Sequence, residues 1–337
     1  MNKKALAMLS GGLDSTLAIK VALDQGVEVE AVNFTSPFCQ CNRKDSGCGH
    51  EAKRVSDDFG IPLHIRGVGN DYIEMIQHPK YGYGKNMNPC QDCRIFMLKK
   101  ARELMKQIGA SFLITGEVLG QRPMSQHRIA FRRIERDTGL EGLILRPLCA
   151  KALEPSLPEL EGVVDREMLL DIVGRSRKPQ IELAATLGVS DYPCPAGGCL
   201  LTDHDFSLKL RDAFAHGEST IKELRMLRMG RHLRLPSGAK VVIGRDQSEN
   251  ERLLAFFDDG SIMLSPLEIA GPSLLLRNSG DPADLELAAA ICLGYTKTND
   301  VTAVKIEHKV EGEIQERVIS IAPLKRQQII EYSLTKG

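Results

Sequence analysis

A short apolar run from Lys4 to Leu9 ends in Ser10-Gly11-Gly12-Leu13-Asp14-Ser15, and helical apolar spacing from Ser15 to Gln25 follows at once. A strand that passes into a helix this way points several backbone N–H groups and the helix dipole at one spot, which favours a bound phosphate. Two glycines let an anion reach that backbone without meeting a Cβ. Ser10 and Ser15 add hydroxyl donors, and Asp14 suits the magnesium ion that accompanies a nucleotide. A capped Gly-Gly turn with no ligand is the plain alternative, because such turns are common. The Gly-Lys-Ser/Thr ending of a Walker loop is absent.

Strand and helix signals keep alternating. Val27–Phe34, Pro62–Ile65 and Ala110–Thr115 read as strands, and Glu51–Phe59 and Arg94–Ile108 as helices. Strands and helices at this spacing predict an α/β fold, a parallel sheet covered on both faces. Asp165–Gly188 is again expected to be helical, ahead of a Pro/Gly-rich loop that ends at Cys199. After Gly230 the period changes to two: Leu233–Arg245 reads as strand, turn, strand, and Phe256–Leu264 and Val304–Ile321 as hairpins. The expected organisation is a nucleotide-binding domain over 1–205, a charged helical linker over 206–229, and a smaller β-rich α+β domain over 230–337.

The 337 residues are 42% hydrophobic and carry a formal net charge of zero, so any polyanion-binding face must come from local clustering. Without an apolar run of membrane-spanning length, no membrane is expected and the cytoplasm is the expected location. Two basic clusters stand out. One holds Arg122, His127, Arg128, Arg132, Arg133 and Arg136; the other holds Arg225, Arg228, Arg231, His232 and Arg234, which Lys240 and Arg245 extend. Such stripes suit RNA phosphates. A solvated helix face is the plain alternative.

Nine cysteines are present. Cys90 and Cys93, in Asn-Pro-Cys-Gln-Asp-Cys-Arg, fit a redox dithiol, half of a zinc site, two ligands of an iron–sulfur cluster, or no role. Cys39, Cys41, Cys48 and His50 fit one tetrahedral Zn2+ site, or a loop with incidental thiols. That loop follows the second strand, whose C-terminal end faces the ligand in an open α/β sheet. Cys194 and Cys199 form a looser pair. Cys149 and Cys292 sit in apolar runs and are expected to be buried packing residues.

The Ser-Gly-Gly-x-Asp-Ser loop resembles the pyrophosphate loop (PP-loop) of the N-type ATP pyrophosphatase superfamily. Its members split ATP between the α and β phosphates and adenylate a carbonyl oxygen. Ile114–Gln126 (I-T-G-E-V-L-G-Q-R-P-M-S-Q), Arg146–Leu148, Asp165–Leu170 and Ala184–Gly188 narrow the likeness. Together they resemble the PP-loop domain of tRNA 4-thiouridine synthetases over roughly residues 3–203. The resemblance implies ATP-dependent thiolation of a uridine in RNA, tRNA foremost. It implies ATP contacts from Ser10, Gly11, Gly12, Asp14, Ser15, Thr16, Asn33, Gly116 and Gln121, with Mg2+ at Asp14. Several PP-loop thiolases hold a [4Fe–4S] cluster on a C-x-x-C pair and a third cysteine. Carried over, these are Cys90, Cys93 and Cys194, with Cys199 as the competitor for third place. A persulfide on one of two redox cysteines is the other arrangement, and sulfide or a cysteine desulfurase is the implied sulfur donor.

Those synthetases carry an RNA-binding THUMP region. Here the stretch from Arg231 to about Ile321 resembles instead the RNA-binding domain of NFACT proteins, a likeness carried by Arg234–Asn250. RNA contacts are expected from Arg122, Arg128, Arg132, Arg133, Arg231 and Arg234, and a second copy of the chain is an expected partner. Two other readings compete: an adenylating enzyme that uses ammonia or another nucleophile, and an RNA-binding protein regulated by a nucleotide.

Overall fold

The computed structural model describes residues 1–40, 48–189 and 198–335, and the chain divides into two compact units, Met1–Thr202 and Asp203–Gly337. In the first unit the chain runs β1 (Lys4–Met8), α1 (Leu13–Leu23), β2 (Glu28–Thr35), α2 (Cys48–Phe59), β3 (Leu63–Gly67) and α3 (Asn70–Gln77). It continues through α4 (Cys90–Gln107), β4 (Phe112–Thr115), α5 (Arg128–Thr138), β5 (Ile144–Leu145), α6 (Leu157–Leu160) and α7 (Lys178–Thr186). The five strands form one parallel sheet in the order β3-β2-β1-β4-β5.

Alternation along β1 explains its central place. Ala5 and Ala7 face a core built with Leu13, Leu17 and Ala18 of α1, while Leu6 and Met8 face Leu98 and Ala101 of α4. A strand buried on both faces reads as a continuous apolar run. The strand order reverses between β1 and β4, and in open α/β sheets the crevice at such a switch point receives the ligand.

The predicted α/β class is the one found, and most first-unit elements lie within a few residues of expectation. Asp165–Gly188 is not one helix. A single turn at Arg166–Met168 gives way to non-helical backbone before α7 begins. Here Leu170 N donates to Pro147 O, Ile172 N to Leu148 O and Gly174 N to Leu119 O, at 2.8–2.9 Å. These bonds tie the segment to its neighbours rather than to itself. Gly174, at φ 89°, adopts a left-handed conformation incompatible with a continuing helix.

The second unit opens with α8 (His204–Ala215) and α9 (Ile221–Met226) and continues through β6 (Arg231–Arg234), β7 (Lys240–Ile243), α10 (Gln247–Leu253), β8 (Ile262–Pro266) and β9 (Leu274–Arg277). It closes with α11 (Pro282–Leu293), β10 (Thr302–Val310), β11 (Glu313–Ile321) and α12 (Arg326–Ile330). Its six strands form an antiparallel sheet in the order β11-β10-β8-β9-β7-β6. Val241 and Ile243 face α11, and Val242 faces Met226 and Met229. The β10–β11 hairpin turns through Glu311 (φ 51°) and Gly312 (φ 85°), the paired positive φ values that a tight two-residue connection requires. Phe256–Leu264 is not a hairpin: Phe256 ends a 3-10 turn that continues α10, and β8 pairs with β9 and β10.

His232 is fully buried on β6, its Nε2 2.8 Å from Met229 O. Burial, then the charges of Lys209 and Lys240, push its pKa well below the ordinary value. The folded state therefore holds a neutral ring that the unfolded chain protonates below about pH 6.5. Its contribution to stability is fully present above that value and is lost as pH falls toward the depressed folded pKa. Urea titrations should show this loss approaching about 1.4 kcal/mol per pH unit in the acid limb, and His232→Gln should flatten it.

Candidate active site

At the C-terminal end of β1 the chain turns through Gly11, at φ 75°, into the N-terminus of α1, where Gly12 is the N-cap residue. The two serines brace this loop. Ser10 N donates to Ser15 Oγ at 3.3 Å, the two hydroxyls lie 3.1 Å apart, and Gly12 N donates to Ser10 Oγ at 3.3 Å. Ser15 Oγ and Thr16 Oγ1 both donate to Gly12 O, at 2.9 and 3.2 Å. The backbone N–H groups of α1's first turn have no partner within the helix, as at any helix N-terminus, and α1 begins at the end of β1.

Gly116, directly after β4, presses on this loop. A Cβ there would lie 2.5 Å from the carbonyl of Asp14 and from Ser15 N. Gln121 Nε2 then donates to Asp14 Oδ2 at 2.9 Å, and Gln180 of α7 approaches Gln121 at 3.4 Å. Arg177 reaches Asp14 Oδ2 at 3.8 Å. Burial pushes the Asp14 carboxyl up, against Gln121, Arg177 and Arg122, which favour its charged form. Asp14 Oδ1 is buried without a hydrogen-bond partner, an orphaned hard oxygen of the kind a magnesium ion takes as ligand. Asn33 Nδ2 donates to Leu9 O at 2.8 Å, and its Oδ1 is also buried and unpartnered.

The thiols gather beside this crevice. Cys90 and Cys93 occupy the first turn of α4, and Cys93 Sγ lies 3.2 Å from the buried Tyr72 hydroxyl. Cys199 pairs with Cys39 across an antiparallel bridge, flanked by Leu200 N donating to Phe38 O at 2.8 Å and Gln40 N to Gly198 O at 3.2 Å. Met87 N donates to Leu201 O at 3.1 Å, and Asn86 Nδ2 to Thr202 O at 2.8 Å, so the segment after Cys199 is fastened to the approach to α4. Burial pushes the Cys199 thiol up to about 12, and the neighbouring Cys93, Cys90 and Cys39 add to the effect. Burial also raises Cys90 and Cys93, while the Arg122 guanidinium favours the thiolate of each. One exposed arginine thus acts on the loop carboxylate and on both α4 thiols.

Cys194 and Cys41 lie outside the described residues, as does the side chain of Cys48. Among the described cysteines, Cys199 and Cys39 neighbour the Cys90/Cys93 pair. His50 is exposed, 3.9 Å from Glu51. Among the described residues no three His, Cys, Asp or Glu side chains meet closely enough for a single metal ion. Cluster ligands stand farther apart than that, because the cluster's own irons and sulfides lie between them. Cys149 and Cys292 are fully buried, as expected, and burial pushes their thiols up to about 11 and about 12.

Beneath the site lies a buried ion cluster. Glu117 Oε1 accepts from Arg94 Nε at 2.8 Å, and Oε2 accepts from Arg146 Nε at 3.1 Å and Thr115 Oγ1 at 3.2 Å. Arg146 also reaches Glu135 at 2.5 Å and stacks on Phe131, its Cζ 4.0 Å from the ring centroid. Sequence reading missed this function of Glu117, and it missed Arg177, Gln180 and Tyr72. Each partner is distant along the chain, so no local motif marks them.

The expected RNA contacts divide. Arg122, Arg128 and Arg132 are exposed. Arg128 Nη2 donates to Ala152 O at 2.6 Å, and Arg133 donates to Gln91 at 2.9 Å and stacks on Tyr81. In the second unit Arg231 lies over Tyr295, whereas Arg234 is held by Asp212 and by Glu218 at 2.8 Å. Lys240, expected to extend the basic patch, is 1% exposed and paired with Glu218, so it cannot contact RNA.

The parallel α/β sheet, with its Ser-Gly-Gly loop at the switch point, has the layout of a PP-loop domain. Residues 1–154, just under half of the chain, match the family model described as "Thiamine biosynthesis protein (ThiI)", and residues 230–333 match "NFACT protein RNA binding domain". The likeness read from the loop and from Arg234–Asn250 is thus found again by whole-domain comparison. A tRNA-specific 2-thiouridylase MnmA of Syntrophotalea carbinolica is 32% identical over 34% of this chain and 34% of its own. A probable tRNA sulfurtransferase of Lysinibacillus sphaericus is 30% identical over 44% of this chain and 35% of its own. The chain thus spans about a third of the length of these curated relatives. A solved 4-thiouridine synthetase–RNA complex with bound ATP is 23% identical over 55% of this chain and 51% of that one, at a TM-score of 0.35. Among the described residues no helix is long and apolar enough to cross a membrane.

Proposed function

We propose that the first unit adenylates a uridine carbonyl oxygen in RNA, tRNA foremost, and exchanges that oxygen for sulfur. The uridine oxygen attacks the α-phosphorus of ATP, a P–O bond forms, and pyrophosphate leaves. Hydrosulfide then forms a C–S bond at the activated carbon, gives its proton to solvent, and AMP departs with the oxygen. The observation that carries this reading is the Arg94–Glu117 bond of 2.8 Å, which ties the Cys90/Cys93 turn to the residue after Gly116, the glycine pressed against the phosphate loop. Nucleotide activation and sulfur chemistry would then share one mouth.

The N–H groups around Gly11 and Gly12, with Ser10 and Ser15, hold the pyrophosphate. Asp14 holds Mg2+ through the oxygen that has no protein partner. Gln121 and Arg177 orient that carboxylate. Cys90, Cys93 and Cys199 hold a [4Fe–4S] cluster, with Cys194 the other candidate for third ligand. When bound, the cluster supplies an iron site that keeps sulfur as sulfide beside the activated base. The thiols are raised by burial, so loading the site releases their protons and is expected to strengthen with pH.

The test is protein purified and reconstituted without oxygen, then incubated with ATP, sulfide and unmodified tRNA. AMP and thionucleoside should accumulate together. AMP formed equally well without RNA would point to a small-molecule substrate, and absence of both products would sink the proposal.

A further inference from the structure

Three distant points of the second unit converge on Tyr295. This residue follows α11 directly after Gly294, where a Cβ would lie 2.3 Å from Leu324 O and 2.5 Å from Ile329 Cδ1. The missing Cβ lets the C-terminal segment close onto α11, and Leu324 N donates to Ala290 O at 2.9 Å. Beyond α12 the chain pairs with β6: Arg234 N donates to Tyr332 O and Leu334 N to His232 O, both at 3.0 Å. Arg326, the first residue of α12, and Arg231, the first of β6, are thereby brought to the same ring. Their Cζ atoms lie 4.1 and 5.0 Å from its centroid.

We infer that Arg231, Tyr295 and Arg326 form a clamp for RNA backbone phosphates. Among the described residues, neither guanidinium makes a hydrogen bond or an ion pair, and Arg326 is exposed. Arg234, three residues along the same strand, shows the structural alternative: its donors go to Asp212, Glu218 and Gly238 O. An arginine whose N–H groups lack acceptors, fixed against a tyrosine face, is pre-organised for an oxyanion. Two such groups at one ring repel each other until an anion joins them. A ring that merely pins the C-terminal segment would need no second cation. The contact would be to phosphate rather than to base edges, so it positions an RNA without reading its sequence.

This clamp rests on the proposed RNA substrate, and the experiment separates the two. The full chain is titrated with labelled unstructured oligoribonucleotides of differing sequence, over a salt series, beside Arg231→Gln, Arg326→Gln and the double variant. Each substitution should lower the slope of log K against log salt by about 0.7, with an equal loss of affinity for every sequence. Tyr295→Leu should weaken binding and Tyr295→Phe should preserve it. Thermal melts confirm that each variant is folded. Unchanged slopes in both arginine variants, or a loss confined to one sequence, would overturn the clamp while leaving the RNA substrate standing. A native chain that binds none of these RNAs and yields no thionucleoside would overturn both.

Discussion

Glu117→Gln is expected to cost the first unit about 3–5 kcal/mol, the usual penalty for breaking a buried ion cluster by removing one partner. Glu117 is 2% exposed and lies between Arg94 and Arg146, the latter 5% exposed. Glutamine keeps the shape but leaves the half-buried Arg94 and the buried Arg146 short of negative charge. Arg146 would retain only Glu135. The same group sets a pH dependence. Burial raises the Glu117 carboxyl, but Arg94 and Arg146 outweigh it and hold its pKa below the ordinary value. Its contribution is therefore fully present above the unfolded pKa, about 4.3, and is lost as pH falls through the depressed folded value. Hydrogen exchange of β1 and β4 peptides in graded urea should show a lower opening energy in the variant and a shallower acid loss. Equal opening energies would mean that the cluster contributes nothing net.

The second large effect is expected at Gly116. An alanine methyl would meet the backbone of Asp14 and Ser15 at 2.5 Å, and backbone cannot rotate aside as a flexible side chain can. Overpacking of this kind costs about 1–3 kcal/mol. Part of that strain would appear as displacement of the loop, so ATP affinity should fall about tenfold or more. Calorimetric titration with a non-hydrolysable ATP analogue, beside a thermal melt, would separate loss of binding from loss of fold. Wild-type affinity in Gly116→Ala would show that the nucleotide does not use this loop.

Both effects bear on how far the chain's chemistry could be read in advance. The strand–loop–helix at Ser10–Ser15, the alternation that follows it and the amphipathic α4 are local patterns, and the parallel sheet followed from them. Gly116 and Gln121 entered through a resemblance, and the structure supplies a reason for each. One is the only residue type that fits beneath the loop, and the other donates to Asp14. The helix expected over 165–188 failed because strand-like bonds to residues 119, 147 and 148 outweigh local helical spacing. Lys240 failed as an RNA contact because a cation counts as surface in a sequence until a buried Glu218 is found beside it.

The cysteines divide in the same way. Sequence alone determined that Cys90 and Cys93 share one helical turn, because a spacing of three does so in any helix. Its choice for the third thiol, Cys194, lies outside the described residues. Only the tertiary structure brings Cys199 to that turn, with Cys39 across a bridge, through bonds to Phe38, Gly198, Asn86 and Met87. Nor could sequence tell Arg231, whose donors have no acceptor among the described residues, from Arg234, whose three nitrogens all donate. Local periodicity is a property of neighbours along the chain. Which charge is neutralised and which thiols meet depends on long-range packing, and that was decided only in the fold.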